Sequence, residues 1–296
     1  MRTHLYASSM GCYVQESLRK ASEGKVLGIT SKGIFFEFEQ RSIFLTKNDH
    51  NSPFNIILAP SDTIPSDITS GDIVYFSQGD LLIPTREVAI SLVDIPVWAP
   101  PPPIRIVNSL PEQVKCAQQL LSELMKLDRQ KGFLFLKFDP PADSTGQAQI
   151  RQAAAAFTQS VRLNNLQASL EASTHLFGLG SGLTPSGDDW ITGFVLYQCR
   201  LDQAKKIKHP FLTRLGAELV YTAYLKTTWV SANRLEAALK GWSEEIFLTA
   251  IDYLFGANRY GSADIARGLM NFGHSSGVDT FIGIVSGCEA RNAYND

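Results

Sequence analysis

Residues 186–193 read SGDDWITG and residues 276–283 read SGVDTFIG, so the frame Ser-Gly-x-Asp-x-x-x-Gly occurs twice in the chain. A segment rich in Gly and Ser precedes each copy, GLGSGLTP at 178–185 and GHS at 273–275. Apolar residues follow each copy, which predicts a loop that leads into an apolar helix. Such loops cost stability, because Gly loses more backbone entropy on folding than other residues do. The repeat therefore predicts two loop–helix units that form one two-sided site.

Part of the shared frame has a purely structural interpretation. Ser186 and Ser276 each stand three residues ahead of an Asp, which is the spacing of a capping box at a helix N-terminus. Gly193 and Gly283 each cost about 1 kcal/mol relative to Ala inside a helix. Because both helices accept this cost at the same position, we expect the two helices to cross closely, one against the other.

Other residues of the loops are not needed for capping. Gly178, Gly180 and Gly182 precede the first helix, where backbone N–H groups and the helix dipole favour an anion. Asp188 and Asp189 stand at the same helix terminus and would repel a bare phosphate. The ligand should therefore carry N–H donors for the carboxylates beside its anionic group, or a metal ion that bridges phosphate to carboxylate.

Three known motifs do not fit these loops. Leu183 occupies the third glycine position of G-x-G-x-x-G, and a Walker A loop would need a Lys followed by Ser or Thr. Residues 273–277 match the nucleophile motif G-x-S-x-G, but the preceding residues 262–270 are helical in pattern rather than a strand. No His follows His274, so the order of a hydrolase triad is missing.

The candidate site residues lie in or beside the two loops. The catalytic candidates are Asp188, Asp189, His274 and Asp279. The substrate-binding candidates are Gly180, Gly182, Thr184, Ser186, Gly187, Thr228, Ser231, Ser275, Ser276 and Gly277. In this hypothesis the aspartates bind donor groups, the loop N–H groups hold an anion, the hydroxyls orient the substrate and His274 is an acid or base. No residue is assigned as a dedicated metal ligand, and the cofactor stays open with Mg²⁺ as the candidate.

A third polar segment, TTWVSAN at 227–233, lies between two helical stretches. Ser and Thr inside a helix usually bond back to a carbonyl of the preceding turn, so a structural role is the alternative for Thr228 and Ser231. The segment lies midway in the chain between the duplicated loops, so Thr228 and Ser231 are also candidates for substrate binding.

The fold class predicted for the whole chain is α+β. Residues 25–98 contain short β-branched and aromatic runs separated by turn residues, which is typical of an antiparallel β barrel or sandwich. Pro100 to Pro103 favour a stiff connector, and helical periodicity dominates afterwards, with one further strand expected at 132–138. We therefore expect a β-rich domain at 1–99, a connector at 100–111 and a mainly helical domain at 112–296.

The composition narrows the class of partner. A formal net charge of −2 over 296 residues gives no basic field for nucleic acid. No apolar run approaches the ~20 residues of a membrane helix, so we expect no membrane partner and a cytoplasmic protein. The four cysteines are scattered without metal-ligand or redox spacing, which favours reduced thiols.

Three segments together resemble a bacterial domain-of-unknown-function family: GLGSGLTPSGDD at 178–189, TTWVSANRL at 227–235 and GHSSGVD at 273–279. The family includes AllH, an allantoin-operon protein assigned as a subunit of oxamate carbamoyltransferase. The resemblance implies a carbamoyl-transfer context, in which oxamate and carbamoyl phosphate interconvert with oxalurate and phosphate, together with partner subunits. Such ligands carry both amide N–H groups and anionic oxygens, the combination that the Asp-rich loops require.

Three functional classes stay open. The leading hypothesis is an AllH-like enzyme or enzyme subunit that binds a small carbamoyl or carboxylate metabolite and phosphate, with carbamoyl transfer as the reaction. The second is a non-catalytic small-molecule-binding or assembly subunit, which would bind the same ligands without turnover. The third is a metal-dependent phosphoryl-transfer enzyme, which a strict Mg²⁺ requirement with nucleotide consumption would identify.

Overall fold

The chain divides between Pro101 and Pro102, inside the run of four prolines. The computed structural model describes residues 3–48, 50–138 and 145–292. The unit Met1–Pro101 contains the strands and one short helix, and the unit Pro102–Asp296 contains the other α-helices. The fold class predicted from the sequence, a β barrel followed by a mainly helical region, is confirmed.

The first unit contains a short helix, α1 (Cys12–Leu18), among its strands. The strands are β1 (Thr3–Gly11), β2 (Glu23–Thr30), β3 (Gly33–Phe38), β4 (Arg41–Thr46), β5 (Asn55–Leu58), β6 (Ile73–Ser77), β7 (Asp80–Ile83), β8 (Val88–Ser91) and β9 (Val97–Trp98).

Strands β1 to β8 close into a barrel in the order β5-β4-β3-β2-β6-β7-β8-β1, and β1 pairs with β5 to complete the ring. Six of the eight neighbouring pairs are antiparallel, whereas β4–β5 and β1–β8 are parallel. The two-residue strand β9 adds to the end of β1 in parallel. Closure removes unpaired strand edges, which is the usual way for an all-β unit to avoid edge-to-edge association.

Alternating side chains fill the inside of this barrel. Phe36 and Phe38 of β3 and Leu45 of β4 have no exposed surface, and they belong to one apolar cluster with residues of all the other barrel strands. On the other face of β3, Phe35 stacks on Phe44 of β4 with 4.3 Å between the ring centroids. Burial of this cluster is the main force that holds the strands in register.

The helices of the second unit are α2 (Leu110–Leu127), α3 (Thr145–Arg162), α4 (Leu166–Thr174), α5 (Ser186–Lys205), α6 (Pro210–Lys226), α7 (Trp229–Leu239), α8 (Glu245–Phe255), α9 (Ser262–Asn271) and α10 (Ser276–Asn292). Helices α5 and α10, which begin at the duplicated frame, are apolar along most of their length and buried almost throughout. None of the helices within the described ranges is long and apolar enough to cross a membrane.

The close helix crossing predicted from the two shared glycines is confirmed. A Cβ atom on Gly193 of α5 would overlap the carbonyl oxygen of Thr280, and a Cβ atom on Gly283 of α10 would overlap the carbonyl oxygen of Trp190. Thr280 and Trp190 occupy the same position of the repeated frame. The two helices therefore approach each other through equivalent residues, in a local two-fold arrangement.

Two sequence-based expectations differ from the structure. Residues 132–138 do not form a strand: Gly132–Lys137 is a 3₁₀ helix, because Gly132 adopts a left-handed conformation with φ of +52° and turns the chain. The strands also begin earlier than the range 25–98 in which the sequence predicted them, since strand β1 and helix α1 lie ahead of residue 25. The segment THLYASSMG of β1 mixes small and polar residues, and this hides its alternation.

The crossing predicts the effect of a single methyl group. Gly193→Ala should lower the free energy of unfolding by about 1–3 kcal/mol or more, because the added methyl has a backbone oxygen rather than a movable side chain in its way. Chemical denaturation of the purified variant measures this loss. Gly146→Ala is the matched control, since a Cβ there meets nothing within 4 Å and Ala favours the helix by up to ~1 kcal/mol. Equal stability of Gly193→Ala and the wild type would contradict the close crossing.

Candidate functional site

The two loops meet through their hydroxyl groups. The first loop, residues 178–185, precedes α5, and the second loop, residues 272–275, precedes α10. Thr184 Oγ1 lies 3.0 Å from Ser276 Oγ, and Ser186 Oγ lies 3.5 Å from Ser275 Oγ. The N-termini of α5 and α10 are therefore adjacent, as the repeated frame predicts.

The alternative interpretation of the shared serines as helix caps is wrong for Ser186. Pro185 holds the N-cap position of α5 without a side-chain cap bond, and α10 begins at Ser276 itself. The Pro185 carbonyl accepts the N–H groups of Asp188 and Asp189, so the first turn of α5 is satisfied by backbone alone. The serine hydroxyls are consequently available to contact the opposite loop.

Gly187 and Gly277 have equivalent surroundings in the two loops. A Cβ on Gly187 would overlap the carbonyl oxygen of Leu176, and a Cβ on Gly277 would overlap that of Leu269. Both glycines are buried. They let each helix start directly against the end of the preceding helical segment, which brings the helix N-terminus into the site.

Asp189 and Asp279, which are equivalent in the repeat, are both buried and share a pattern of contacts. Asp189 Oδ1 accepts a hydrogen bond from Arg234 Nη1 at 2.7 Å, and Asp279 Oδ1 accepts one from the Phe133 N–H at 2.6 Å. The Oδ2 atom of each is buried and has no partner in hydrogen-bonding geometry among the described residues. A buried oxygen without a donor is costly, so these two atoms are the unmet hydrogen-bond acceptors of the site.

The contact with Asp279 depends on a tight approach by the 3₁₀ segment. A Cβ on Gly132 would overlap Asp279 Oδ1, so only glycine allows the Phe133 N–H to reach the carboxylate. Lys131 Nζ donates to the Met270 carbonyl at 2.8 Å and fastens this segment to the end of α9. Phe133 and Asp279 are 146 residues apart in the chain, so no sequence motif indicates their contact.

Asp188 is held from three directions. Its Oδ1 accepts the Gly178 N–H at 2.8 Å, its Oδ2 accepts the Thr227 hydroxyl, and the Ser231 hydroxyl interacts with the same carboxyl. Asp188 thereby ties the start of the first loop to the segment before α7. Burial raises the pKa of Asp188, and the Thr227 hydroxyl and the Gly178 N–H oppose this effect.

Thr228 fixes the end of the first loop. Its Oγ1 donates to the Leu183 carbonyl at 2.5 Å and accepts the Ser231 N–H at 3.1 Å, as the N-cap of α7. The N-terminus of α7 therefore also points to the region where the loops meet. Thr228 therefore contacts the first loop through the Leu183 carbonyl, and Ser231 contacts the Asp188 carboxyl, which binds the start of that loop.

Burial also raises the pKa of Asp189, to about 8. Arg234 and the Ser276 hydroxyl oppose this increase, whereas the charges of Asp279 and Asp188 add to it. Arg234 contacts Glu244 as well, at 3.2 Å, so its charge is shared between two carboxyl groups. The effect of burial on Asp189 is therefore larger than that of Arg234. Near pH 7 the carboxyl of Asp189 is neutral, and Arg234 donates a hydrogen bond to it at 2.7 Å.

Burial also raises the pKa of Asp279, and the Ser186 hydroxyl opposes this increase. Since Ser276 acts on Asp189, each serine of the repeat influences the aspartate of the other helix. His274 is exposed in the second loop, and its protonated form would also lower the pKa of Asp279.

The surface of the site is formed by the exposed glycines of the first loop. Gly180 and Gly182 have φ of +121° and +93°, which only glycine adopts readily. Within the described part of the chain, their N–H groups have no protein acceptor. They are therefore available to an anion beside the hydroxyls of Thr184 and Ser276.

Several residues of the site have no signal in the sequence that would single them out. Arg234 is visible as a charged residue within an apolar helix, although its partners could not be inferred. Gly132, Phe133 and Glu244 carry no pattern of their own, whereas Thr227 lies in the polar segment at 227–233. As for metal ligands, the described ranges contain no group of three or more His, Cys, Asp or Glu side chains placed to hold an ion.

A β barrel followed by a helical unit with two paired Gly/Ser/Asp loops defines the class of this protein. Residues 176–288 match a family model described as "Oxamate carbamoyltransferase subunit AllH". The match spans both loops and the segment at 227–234, and it confirms the resemblance to the AllH family that the three motifs indicated. No solved structure matches the chain.

The buried aspartates predict a pH dependence of stability. Between the ordinary Asp pKa near 4 and the value of about 8 for Asp189, the unfolded chain gives up a proton that the folded chain keeps. Stability from this group is therefore complete below pH ~4 and is lost as the pH rises to ~8, with a slope of up to about 1.4 kcal/mol per pH unit.

Urea denaturation between pH 5 and pH 8 measures this slope, with Asp189→Asn as the comparison. The amide resembles the neutral carboxyl and does not titrate, so the variant should lose less stability than the wild type as the pH rises. Parallel curves for the two proteins would show that Asp189 has an ordinary pKa.

Proposed function

We propose that this chain is a subunit of a carbamoyltransferase-like enzyme and that the paired loops bind a small metabolite with a carboxylate and an amide, such as oxamate. The observation that carries this proposal is the buried Oδ2 pair of Asp189 and Asp279, which lacks donors in hydrogen-bonding geometry among the described residues and lies at two adjacent helix N-termini. The family description of residues 176–288 supports the choice of oxamate as the ligand.

The two carboxyl groups suit different ends of such a ligand. In this proposal a neutral Asp189 donates a hydrogen bond from Oδ2 to an oxygen of the ligand, whereas Asp279, whose Oδ1 is held by the Phe133 N–H, accepts from the ligand amide N–H group at Oδ2. The loop N–H groups of Gly180 and Gly182 and the helix dipoles favour the anionic part of the ligand. An asymmetric planar molecule is therefore oriented by two aspartates that are equivalent in sequence but have different partners, Arg234 for Asp189 and the Phe133 N–H for Asp279.

In the proposed reaction the carbamoyl group moves from phosphate to the amide nitrogen of oxamate. The amide nitrogen of oxamate attacks the carbamoyl carbon of carbamoyl phosphate, a C–N bond forms, and the bond from that carbon to the phosphate oxygen breaks. Phosphate leaves with the electron pair, and the attacking nitrogen loses one proton. Neutral His274, which is exposed in the second loop, is the candidate acceptor of this proton. Thr184, Ser186, Ser275 and Ser276 orient the substrates, and loop N–H groups stabilise the developing charge.

Binding of oxamate to the purified chain, measured by isothermal titration calorimetry near pH 7, tests the proposed site. Asp279→Asn should weaken binding at least about tenfold, because Phe133 holds Oδ1 and forces the amide NH₂ into the position of the acceptor Oδ2. Asp189→Asn should bind nearly as well as the wild type, since its NH₂ replaces the neutral O–H as donor.

Asp264→Asn is the distant control, because Asp264 is exposed on α9 and pairs with Arg267. Equal effects of Asp189→Asn and Asp279→Asn would contradict the proposed orientation, and loss of binding in Asp264→Asn would exclude the site. Release of phosphate from carbamoyl phosphate, with the chain alone and with its co-purified partner subunits, then distinguishes a catalytic subunit from a binding subunit.

A further inference from the structure

Arg234 connects the acidic groups of the site to the interior of the helical unit. It is 7% exposed and lies on α7. Within the described ranges, it is the one Lys or Arg side chain with a nitrogen within 4 Å of a carboxyl oxygen of Asp188, Asp189 or Asp279. Replacement of a buried charge such as Arg234 leaves the carboxyl groups around it without a counter-charge. Arg234 therefore has a large influence on the electrostatics of the site.

Two carboxyl groups share this guanidinium. Arg234 Nη1 donates to Asp189 Oδ1 at 2.7 Å, while its Nε lies 3.2 Å from Glu244 Oε1 and its Nη2 donates to Glu244 Oε2 at 3.3 Å. Glu244 is itself 6% exposed and accepts the Ser243 hydroxyl at 2.8 Å. The arginine is therefore positioned between a site residue and a second, structural carboxylate.

Two aromatic rings complete the surroundings of Arg234. Its guanidinium carbon lies 5.9 Å from the ring centroid of Phe247 and 5.8 Å from that of Phe272, within the range of cation–π attraction. The two rings also contact each other edge to face at 5.0 Å. Phe272 is the residue immediately before Gly273, so Arg234 contacts both the helix that follows the first loop and the start of the second loop.

We propose that Arg234 is the positioning residue of the site: it holds Asp189 through Oδ1 and Phe272 through its guanidinium face, and Glu244 limits the share of its charge that reaches Asp189. This proposal goes beyond the proposed function, because it concerns the geometry and ionisation of the protein without ligand and holds for any ligand. Arg234 acts through Asp189 and is not expected to touch the substrate.

The ionisable groups around Asp189 determine the expected sign of the test. Arg234 on α7 favours the ionised carboxyl, while Asp279 on α10 and Asp188 on α5 disfavour it. Glu244 attracts the same guanidinium from the segment before α8. Removal of the Glu244 charge should therefore strengthen the interaction of Arg234 with Asp189 and lower the pKa of Asp189. Replacement of Arg234 by a neutral side chain should raise that pKa.

The test is a ¹³C NMR titration of the carboxyl carbons in the full chain labelled at aspartate, with Asp189→Asn to assign the resonance. Glu244→Gln should lower the pKa of Asp189 by on the order of one pH unit, and Arg234→Gln should raise it. Arg234→Lys should give an intermediate value, because it retains the charge but has no planar fork. The titration is carried out without ligand, so the result does not depend on whether oxamate binds.

Arg200→Lys is the matched control. Arg200 is another buried arginine of the same unit, 3.7 Å from Asp252, and it lies 11 residues along α5 from Asp189, about 16 Å away. It should affect stability without moving the Asp189 titration. A purely structural Arg234 would shift the Asp189 pKa in the same direction, or not at all, in the Glu244 and Arg234 variants, and that result would overturn the proposal. If Arg234→Gln does not fold, Glu244→Gln against Arg200→Lys decides the question alone.

Discussion

Helices α5 and α10 approach so closely that Gly193 and Gly283 each face a backbone carbonyl of the other helix. Because these glycines stand at the same distance from Ser186 and Ser276, the contact also fixes the relative height of the two helix N-termini. The hydroxyls of Thr184 and Ser276 can then meet at 3.0 Å. The geometry of the candidate site is thus set by the packing contact between α5 and α10, which brings the two loops together.

Three aspartates are buried near these helix N-termini, which would be unfavourable without compensation. Part of the compensation comes from partial positive charge at the N-termini of α5, α7 and α10, and part from the N–H of Phe133 in the 3₁₀ helix. Arg234 supplies a full charge, but Glu244 competes for it. The balance leaves each of the three carboxyl groups with a raised pKa, a condition that is common in ligand-binding and catalytic sites.

The sequence allowed the general fold and the pairing of the loops to be predicted, but not the partners of individual side chains. The glycines of the repeat were informative because a mid-helix Gly is costly, and two helices that accept this cost at equivalent positions gain a close approach in return. The sequence left two interpretations open for Ser186 and Ser276, because a capping box and a contact across two loops need the same residue types. The contact of Phe133 with Asp279 spans 146 residues and depends on the left-handed Gly132, so no local pattern could indicate it.

The central claim is that the two loops form one site, with a ligand held between the N-termini of α5 and α10. A crystal structure of the full chain with bound oxamate tests this most directly. The account predicts a single oxamate with polar contacts to both loops, its amide on the side of Asp279 and an oxygen on the side of Asp189. An oxamate molecule bound to one loop alone, or away from both, would contradict it.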